Sequence, residues 1–287
     1  MKLLSDKKIL MTAAGKHHSL FLTELGHVYS AGLNEFGQLG VKSDPMEITK
    51  QAKYNVSILQ NYLYQKTKST PQRVDIENVR FIAAGDCHSL AITDLSHDGE
   101  FESKLYSWGW SAYGQLGHSK IKNSYNLDRP KVVKFLQSYE TKVAFVSGGS
   151  KHTVCIDTEG RLWYFGERNS VGIRAKARKM QFYPTLLVPE NRDETAGFDS
   201  GLIYIDAKDE ENIAIDSEHQ VYVFGAAVSQ RRTFKMEESD NDQLNDSGID
   251  LENNNKQMTY FKKVLQKNRK PILADCVGKG KDHSIAL

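Results

Sequence analysis

An internal repeat constrains the fold of this chain more than any other feature of its sequence. The segment VYSAGLNEFGQLG at 28–40 has a close counterpart, LYSWGWSAYGQLG, at 105–117. Each begins as a run rich in aromatic and β-branched residues, which is typical of a β-strand, and continues into a loop punctuated by glycines. Two copies of the same strand and loop predict a structural unit that recurs along the chain.

A second motif occurs five times, and it precedes the strand-and-glycine motif along the chain. Its copies cover residues 11–23, 81–93, 145–157, 204–216 and 275–287. Four copies have the order Gly-x-x-His followed by Ser or Thr and a short apolar strand, whereas the fourth copy has Glu211 in place of the histidine. The strand-and-glycine motif follows each of the first four copies, although the last two keep little of the Gly-Gln-Leu-Gly loop.

Short turns join the two motifs. Gly26 and Gly160 stand where such a turn needs a positive φ, and we expect His219 at the same place in the fourth copy to be strained. In the glycine-rich loop, Leu39 is expected to anchor the loop in the core, and Gln38 to bond backbone that has no strand partner. These signals together predict units of four short strands, which are the blades of a propeller.

The order Gly-x-x-His-Ser/Thr, a strand ending in Trp/Phe-Gly, and Gly-Gln-Leu-Gly resembles the repeat of the RCC1 family (regulator of chromosome condensation). The resemblance covers essentially the whole chain, and SWGWSAYGQLG is close to the family consensus. It implies an all-β fold, an RCC1-type β-propeller, in which the motif residues have structural roles. Those residues are Gly15, His18, Gly32, Gly37, Gln38, Gly40, Gly85, His88, Gly109, Gly114, Gln115, Gly117, Gly149, His152, Gly166, Gly225, Gly280 and His283.

The family's ring usually has seven blades, and this chain offers about four plus a spare hairpin. The repeats are placed at 8–77, 78–141, 142–200 and 201–271, with a half repeat at 272–287. If a blade joins a strand-and-glycine half to the next Gly-x-x-His half, the spare hairpin lies at the start of the chain. A partner, a second chain or missing sequence could complete the ring, and the residues leave these three alternatives open.

Long loop inserts separate the repeats. Within 41–77, apolar residues recur near helical spacing between Ile48 and Leu63. The insert at 226–271 contains an acidic, Asn-rich stretch with few apolar residues, and 236–257 is predicted to be disordered.

The net charge and the cysteine spacing indicate which classes of partner and which compartment the protein has. The formal net charge of the 287-residue chain is +2, so no global field favours nucleic acid or an anionic membrane. Cys87, Cys155 and Cys276 are widely spaced, which indicates reduced thiols in an intracellular compartment, whether cytoplasmic, nuclear or ciliary. We identify no signal peptide and no membrane span.

No arrangement of residues points to catalysis. The repeated histidines lack a nearby second ligand, so a hydrogen-bonded structural role is favoured over metal binding. Cys87 precedes His88, but adjacent strand residues point to opposite faces, and a buried thiol is favoured over a reactive pair. We therefore predict that the protein is not an enzyme and has no cofactor and no metal.

Basic clusters in the inserts are the candidate partner-binding residues. They are Arg174, Lys176, Arg178, Lys179, Arg231, Arg232 and Lys235. The favoured function is a non-catalytic protein–protein interaction scaffold within a larger assembly. The resemblance also implies two alternatives, guanine-nucleotide exchange on a Ran-like small GTPase and chromatin binding, although direct binding of nucleic acid is not favoured.

Overall fold

The computed structural model describes residues 4–42, 66–97, 100–119, 126–173, 180–189 and 200–226, together with the backbone of strand pieces at 258–259, 262–263, 277–279 and 284–286. Its organisation is all-β, with four antiparallel sheets of four strands each. We name these sheets blades 1 to 4 in chain order. They confirm the prediction of a partial propeller of about four blades plus a spare hairpin.

The strands follow the order of the repeats. Blade 1 contains β1 (Ile9–Ala14), β2 (His18–Thr23), β3 (Val28–Leu33) and β4 (Thr67–Arg73). Blade 2 contains β5 (Val79–Ala84), β6 (His88–His97), β7 (Glu100–Trp110) and β8 (Asn126–Val132), and helix α1 (Lys134–Ser138) follows it. Blade 3 contains β9 (Val143–Gly148), β10 (His152–Asp157), β11 (Leu162–Glu167) and β12 (Met180–Leu186), and it is followed by β13 (Val188–Pro189).

Blade 4 is completed by a distant piece of chain. It contains β14 (Leu202–Lys208), β15 (Glu211–Asp216), β16 (Val221–Gly225) and β18 (Lys262–Lys263). The short β17 (Met258–Thr259) pairs in parallel with β13. The chain then forms the hairpin of β19 (Val277–Lys279) and β20 (Ser284–Ala286).

The spare hairpin follows blade 4, and β19 contacts β14 and β15. The hairpin lies within the half repeat at 272–287, and the alternative division of the repeat, which would put a spare hairpin at the start of the chain, is wrong. The reason is local: a turn of a few residues joins β2 to β3, so both motifs of one repeat pair within the same sheet. Each blade is thus a Gly-x-x-His half followed by its own strand-and-glycine half.

The first strands of consecutive blades contact one another, so they form the inner edge, and the fourth strand of each blade lies at the outer rim. The core is divided among the interfaces between blades. Equivalent positions of the third strands place a fully buried aromatic side chain in each interface: Trp108, Phe165 and Phe224. Each such burial stabilises the fold by about 1.5–3 kcal/mol.

The outer strands of blades 1 to 3 each contain a proline that hinders pairing with an incoming β-strand. Pro71, Pro130 and Pro184 stand at equivalent positions in β4, β8 and β12. Beside each proline the pairing with the third strand shifts register. Because proline lacks an N–H donor, an incoming strand cannot complete a regular ladder there.

The turns confirm the expected conformations. Gly26 and Gly160 have φ values of 72° and 77°, and His219 has a φ of 63° at the equivalent place. Since a side chain rarely adopts this region, His219 is the strained member of the set. Gly280, His283, the helical pattern at 48–63 and the insert at 236–257 lie outside the described residues.

Candidate functional site

The repeated histidines link neighbouring blades. His18 Nε2 lies 2.9 Å from Ser89 Oγ of blade 2, and His88 Nε2 lies 2.9 Å from Thr153 Oγ1 of blade 3. His152 Nε2 lies 2.7 Å from Asn212 Oδ1 of blade 4. In each case the partner is the residue that follows the histidine position of the next repeat.

Each partner residue, which we call the receiver, also donates a hydrogen bond to a loop carbonyl oxygen of the preceding blade. Ser89 Oγ donates to the Gln38 carbonyl oxygen at 2.7 Å, and Thr153 Oγ1 donates to that of Gln115 at 2.8 Å. In blade 4, Asn212 Nδ2 donates to the Ser170 carbonyl oxygen at 2.8 Å. We call each set of histidine, receiver and loop carbonyl an inter-blade relay.

The relay geometry determines the tautomer of the histidines. The single hydroxyl hydrogen of Ser89 and of Thr153 is used on a loop carbonyl, so the imidazole Nε2–H must donate to the hydroxyl oxygen. The Asn212 Oδ1 can only accept, so His152 is the same tautomer. All three rings therefore donate through Nε2.

Burial keeps these rings neutral. It lowers the pKa of His18 and His152 to about 4 and that of His88 to about 3. A buried, neutral imidazole that already donates its hydrogen is poorly placed to act as a general base. Within the described residues, no group of three or more His, Cys, Asp or Glu side chains is arranged to hold a metal ion.

The turn glycines of the first motif make room for the histidine rings. A Cβ atom at Gly85 would overlap the His88 ring and would lie 2.5 Å from the Gly149 carbonyl oxygen. Gly15 and Gly149 pack in the same way against His18 and His152. The remaining described motif glycines have positive φ: Gly32, Gly37, Gly40, Gly109, Gly114, Gly117, Gly166 and Gly225.

The Gly-Gln-Leu-Gly loops are held by their own side chains. Gln38 Oε1 accepts the Phe36 N–H at 2.8 Å, and Gln115 Oε1 accepts the Tyr113 N–H at 3.0 Å. Leu39 is fully buried beneath its loop. The loops are thereby rigid platforms for the residues at their tips.

Cys87 does not occupy the buried position that the sequence predicted for it. It lies in the turn before β6 rather than within a strand, and it is half-buried. Burial and the nearby Asp86 raise its pKa to about 11, so the thiol is neutral at pH 7. His88 is bonded to Thr153 and forms no reactive pair with this thiol.

The loop tips carry an aromatic row that the sequence analysis missed. The Phe36 and Trp110 ring centroids are 5.5 Å apart, and those of Trp110 and Tyr113 are 5.3 Å apart. Lys151 of blade 3 continues the row, with Nζ 5.0 Å from the centroid of the Tyr113 ring. The aromatics are half-buried, and the row spans three blades at the end of the sheets where β3 and β7 terminate.

Lys151 is fixed in place by two carboxylates. Its Nζ lies 3.6 Å from Glu167 and 3.5 Å from Glu210 of blade 4. Although partial burial opposes it, these charges raise the pKa of Lys151 above its ordinary value. The only sequence signal for this surface was the aromatic residue preceding each Gly-Gln-Leu-Gly, which packing alone would also explain.

The sequence predicts seven basic residues as the partner-binding residues. Arg174, Lys176, Arg178 and Lys179, like Arg231, Arg232 and Lys235, lie outside the described residues. Their part in partner binding stays a prediction. Within the described part of the chain, no helix combines the length and apolarity that crossing a membrane requires.

Comparison with known proteins agrees with the architecture. A family model described as the regulator of chromosome condensation (RCC1) repeat matches residues 26–92 and 102–156, and a second RCC1 repeat model matches 12–38. Each longer match runs from the second half of one blade into the first two strands of the next. The unit that the family model describes therefore contains an interface between blades.

Relatives share part of this chain. Probable E3 ubiquitin-protein ligase HERC4 of Homo sapiens is 28% identical over 71% of this chain and 18% of its own length. The ultraviolet-B receptor UVR8 of Arabidopsis thaliana is 26% identical over 58% of this chain and 31% of its own length. The structure of yeast RCC1 (Prp20) bound to Kap60 matches with a TM-score of 0.57 at 22% identity, covering 78% of this chain and 46% of that one.

These matches, the four sheets and the inter-blade relay define a repeat protein built from propeller blades. Residues 12–92 and 102–156 consist of RCC1 repeats, and the described part of the chain has the fold of an RCC1-type propeller. The chain spans less than half of the length of each of the three relatives.

Proposed function

We propose that this protein is a non-catalytic protein–protein interaction scaffold that acts within a larger assembly. The observation that carries the proposal is the aromatic row of Phe36, Trp110 and Tyr113, which ends on Lys151. Large aromatic side chains and a fixed charge on a rigid support are the usual composition of protein-binding hot spots.

Rigidity supports this function. Two inter-blade relays connect the three blades that carry the row, and a third joins blade 3 to blade 4, so the aromatic rings keep their relative positions. A partner that binds a prearranged surface loses less conformational entropy from the scaffold. Lys151 contributes a charge that Glu167 and Glu210 already orient.

The chemistry of the described side chains also favours binding over catalysis. The relay histidines are buried, neutral and bonded, and Cys87 has a raised pKa. Yeast RCC1 binds Kap60 in its solved complex, which is in line with a protein partner for this chain. Exchange on a Ran-like GTPase and chromatin binding remain alternatives without a described residue that favours them.

The test compares partners captured from the protein's own cells by the full chain and by surface variants. Phe36→Ala and Tyr113→Ala remove rings from the row while leaving the backbone hydrogen bonds of both residues available. Leu25→Ala is the matched control, since Leu25 is 72% exposed in the turn at the opposite end of blade 1. We expect both ring variants to lose at least one near-stoichiometric protein that the wild type and the control retain.

Two results would overturn the proposal. One is an unchanged set of partners for the folded ring variants. The other is accelerated release of fluorescent GDP from a purified Ran-like GTPase by the full chain, which would establish exchange instead.

A further inference from the structure

A second aromatic surface lies on the outer rim between blades 2 and 3. Tyr139, at the end of helix α1, is 64% exposed, and Tyr183 of β12 is 45% exposed. Phe135 lies between them and is half-buried. Met180 and Leu186, on the same strand as Tyr183, are also exposed. Clustered exposed apolar side chains on a folded domain commonly mark an interaction site.

The three rings form one platform. The centroid of Phe135 is 4.8 Å from that of Tyr139 and 5.8 Å from that of Tyr183. The interplanar angles are 38° and 39°, so the rings are tilted relative to one another and not stacked face to face. We call Phe135, Tyr139 and Tyr183 the rim platform.

Both supports of the rim platform are fixed. Leu136 of α1 is buried in the cluster between blades 2 and 3, which anchors the helix. On β12, the Tyr183 carbonyl oxygen accepts hydrogen bonds from Gln181 Nε2 and Thr185 Oγ1, each at 3.2 Å. Gln181 Nε2 also lies 2.6 Å from Thr185 Oγ1, so the two side chains brace the strand at Tyr183.

The strand beside the platform is a poor template for an added β-strand. Pro184 has no N–H to donate, and the register between β11 and β12 shifts nearby. A ligand at this place must therefore be held chiefly by the aromatic side chains. The chain around Phe135 and Tyr139 is basic in sequence: residues 128–142 contain Arg129, Lys131, Lys134 and Lys142 against Asp128 and Glu140, and Lys134 is exposed on helix α1 beside Phe135.

We propose that the rim platform binds a proline-rich, extended segment of a partner protein that has acidic residues beside its prolines. Such a segment is already ordered as a polyproline II helix, and its carbonyl oxygens are free to accept hydrogen bonds. Pyrrolidine rings pack on the exposed faces of Tyr139 and Tyr183, while the tyrosine hydroxyls donate to the carbonyl oxygens. Lys134, which is exposed on the same helix, attracts the acidic residues.

The proposal is tested by fluorescence anisotropy with the full chain and a fluorescein-labelled peptide whose proline and leucine core is flanked by glutamates. Two comparison peptides carry the same charge: one has alanines in place of the prolines, and the other forms an amphipathic helix. We expect saturable binding of the proline peptide only. Tyr139→Ala and Tyr183→Ala should each weaken it about tenfold.

Matched variants separate the role of the rings from other effects. Tyr139→Phe keeps the ring and loses the hydroxyl, so the loss of affinity should be smaller than for Tyr139→Ala. Leu25→Ala and the aromatic-row variant Tyr113→Ala should bind like the wild type. Circular dichroism and urea unfolding of each variant establish that it is folded.

The proposal fails if the proline peptide shows no saturable binding, if the alanine peptide or the helical peptide binds equally well, or if the two tyrosine variants bind like the wild type. These outcomes leave the proposed scaffold function standing, because its test depends on Phe36 and Tyr113 rather than on the rim platform.

Discussion

The inner edge of the blades repeats one arrangement at each described interface, whereas the aromatic surfaces do not repeat from blade to blade. At the inner edge, three interfaces repeat one arrangement, in which His18, His88 and His152 each reach the receiver side chain of the next blade. At the loop tips and on the outer rim, the aromatic row and the rim platform each occur in one place among the described residues. The repeated part specifies how blades join, and the unrepeated part is where a partner can be distinguished.

Blade 4 shows how far the inner arrangement can vary. Asn212 replaces the Ser or Thr receiver, and Ser170 in a short 3₁₀ turn (Asn169–Val171) supplies the carbonyl that Gln38 and Gln115 supply elsewhere. The amide still accepts from the histidine and still donates to the loop. The hydrogen-bonding pattern is therefore retained although the residues differ.

Acidification should give the largest effect, because it acts on all three relays together. Each relay histidine has a folded pKa of about 3 to 4, below the 6.5 of an ordinary histidine. Stability is therefore fully present above about pH 6.5 and falls as the pH decreases towards 4, by roughly 4 kcal/mol per pH unit if all three rings stay neutral. Urea unfolding at pH 7.5, 6.5, 5.5 and 4.5 measures this dependence.

A variant that lacks one relay histidine measures how much a single ring contributes to the pH dependence of the free energy of unfolding. His88→Asn should be less stable than the wild type at pH 7.5, and its stability should change less with pH because one titrating group is gone. A free energy of unfolding that is equal at pH 7.5 and 5 in the wild type would contradict the assignment of neutral relay histidines.

The next largest effect is expected for Gly149→Ala, which affects one relay. Its Cβ would overlap the His152 ring and lie 2.7 Å from the Asp209 carbonyl oxygen, so the turn or the ring must move. We expect a loss of about 3 kcal/mol in the free energy of unfolding, or failure to fold. Gly201→Ala is the control, because its Cβ would lie 3.3 Å from the Glu159 carbonyl oxygen and from Gly160 Cα, so this exposed turn needs to shift by only a few tenths of an ångström and the cost should be smaller.

Thr153→Val should have the smallest effect of the three. The change conserves shape and removes the hydroxyl that accepts from His88 and donates to Gln115, which leaves two buried groups without this partner. A loss of about 2 kcal/mol is expected in urea unfolding. Thr153→Ser keeps the hydroxyl found naturally as Ser89 and should cost less than about 1 kcal/mol. Equal losses for Val and Ser would show that the methyl group contributes as much as the relay hydroxyl, which would contradict the prediction.

Much of the fold could be predicted because the repeat encodes local conformations. Alternating strands, the positive φ of Gly26 and Gly160, and the burial of Leu39 follow from neighbours a few residues away. The phase of the blades could not be obtained in this way, because the motif order fits either pairing of halves. The short turn between β2 and β3 decides it, since the hairpin it forms keeps both halves in one sheet.

The candidate surfaces were less accessible to sequence reasoning. Phe36 and Trp110 are 74 positions apart in the chain, and Lys151 lies further along still. Phe135 and Tyr183 belong to different blades. No local pattern indicates that such residues meet, because the packing of one blade on the next sets their separation.

By itself, the sequence determined the all-β repeat, the family and the residues that recur at each inter-blade interface, because these depend on short-range patterns present in several copies. The tertiary structure alone decided which receiver each histidine meets, which tautomer it adopts and which aromatic residues come together at the surface. These features depend on contacts between blades, where residues distant in the chain become neighbours and burial changes their chemistry.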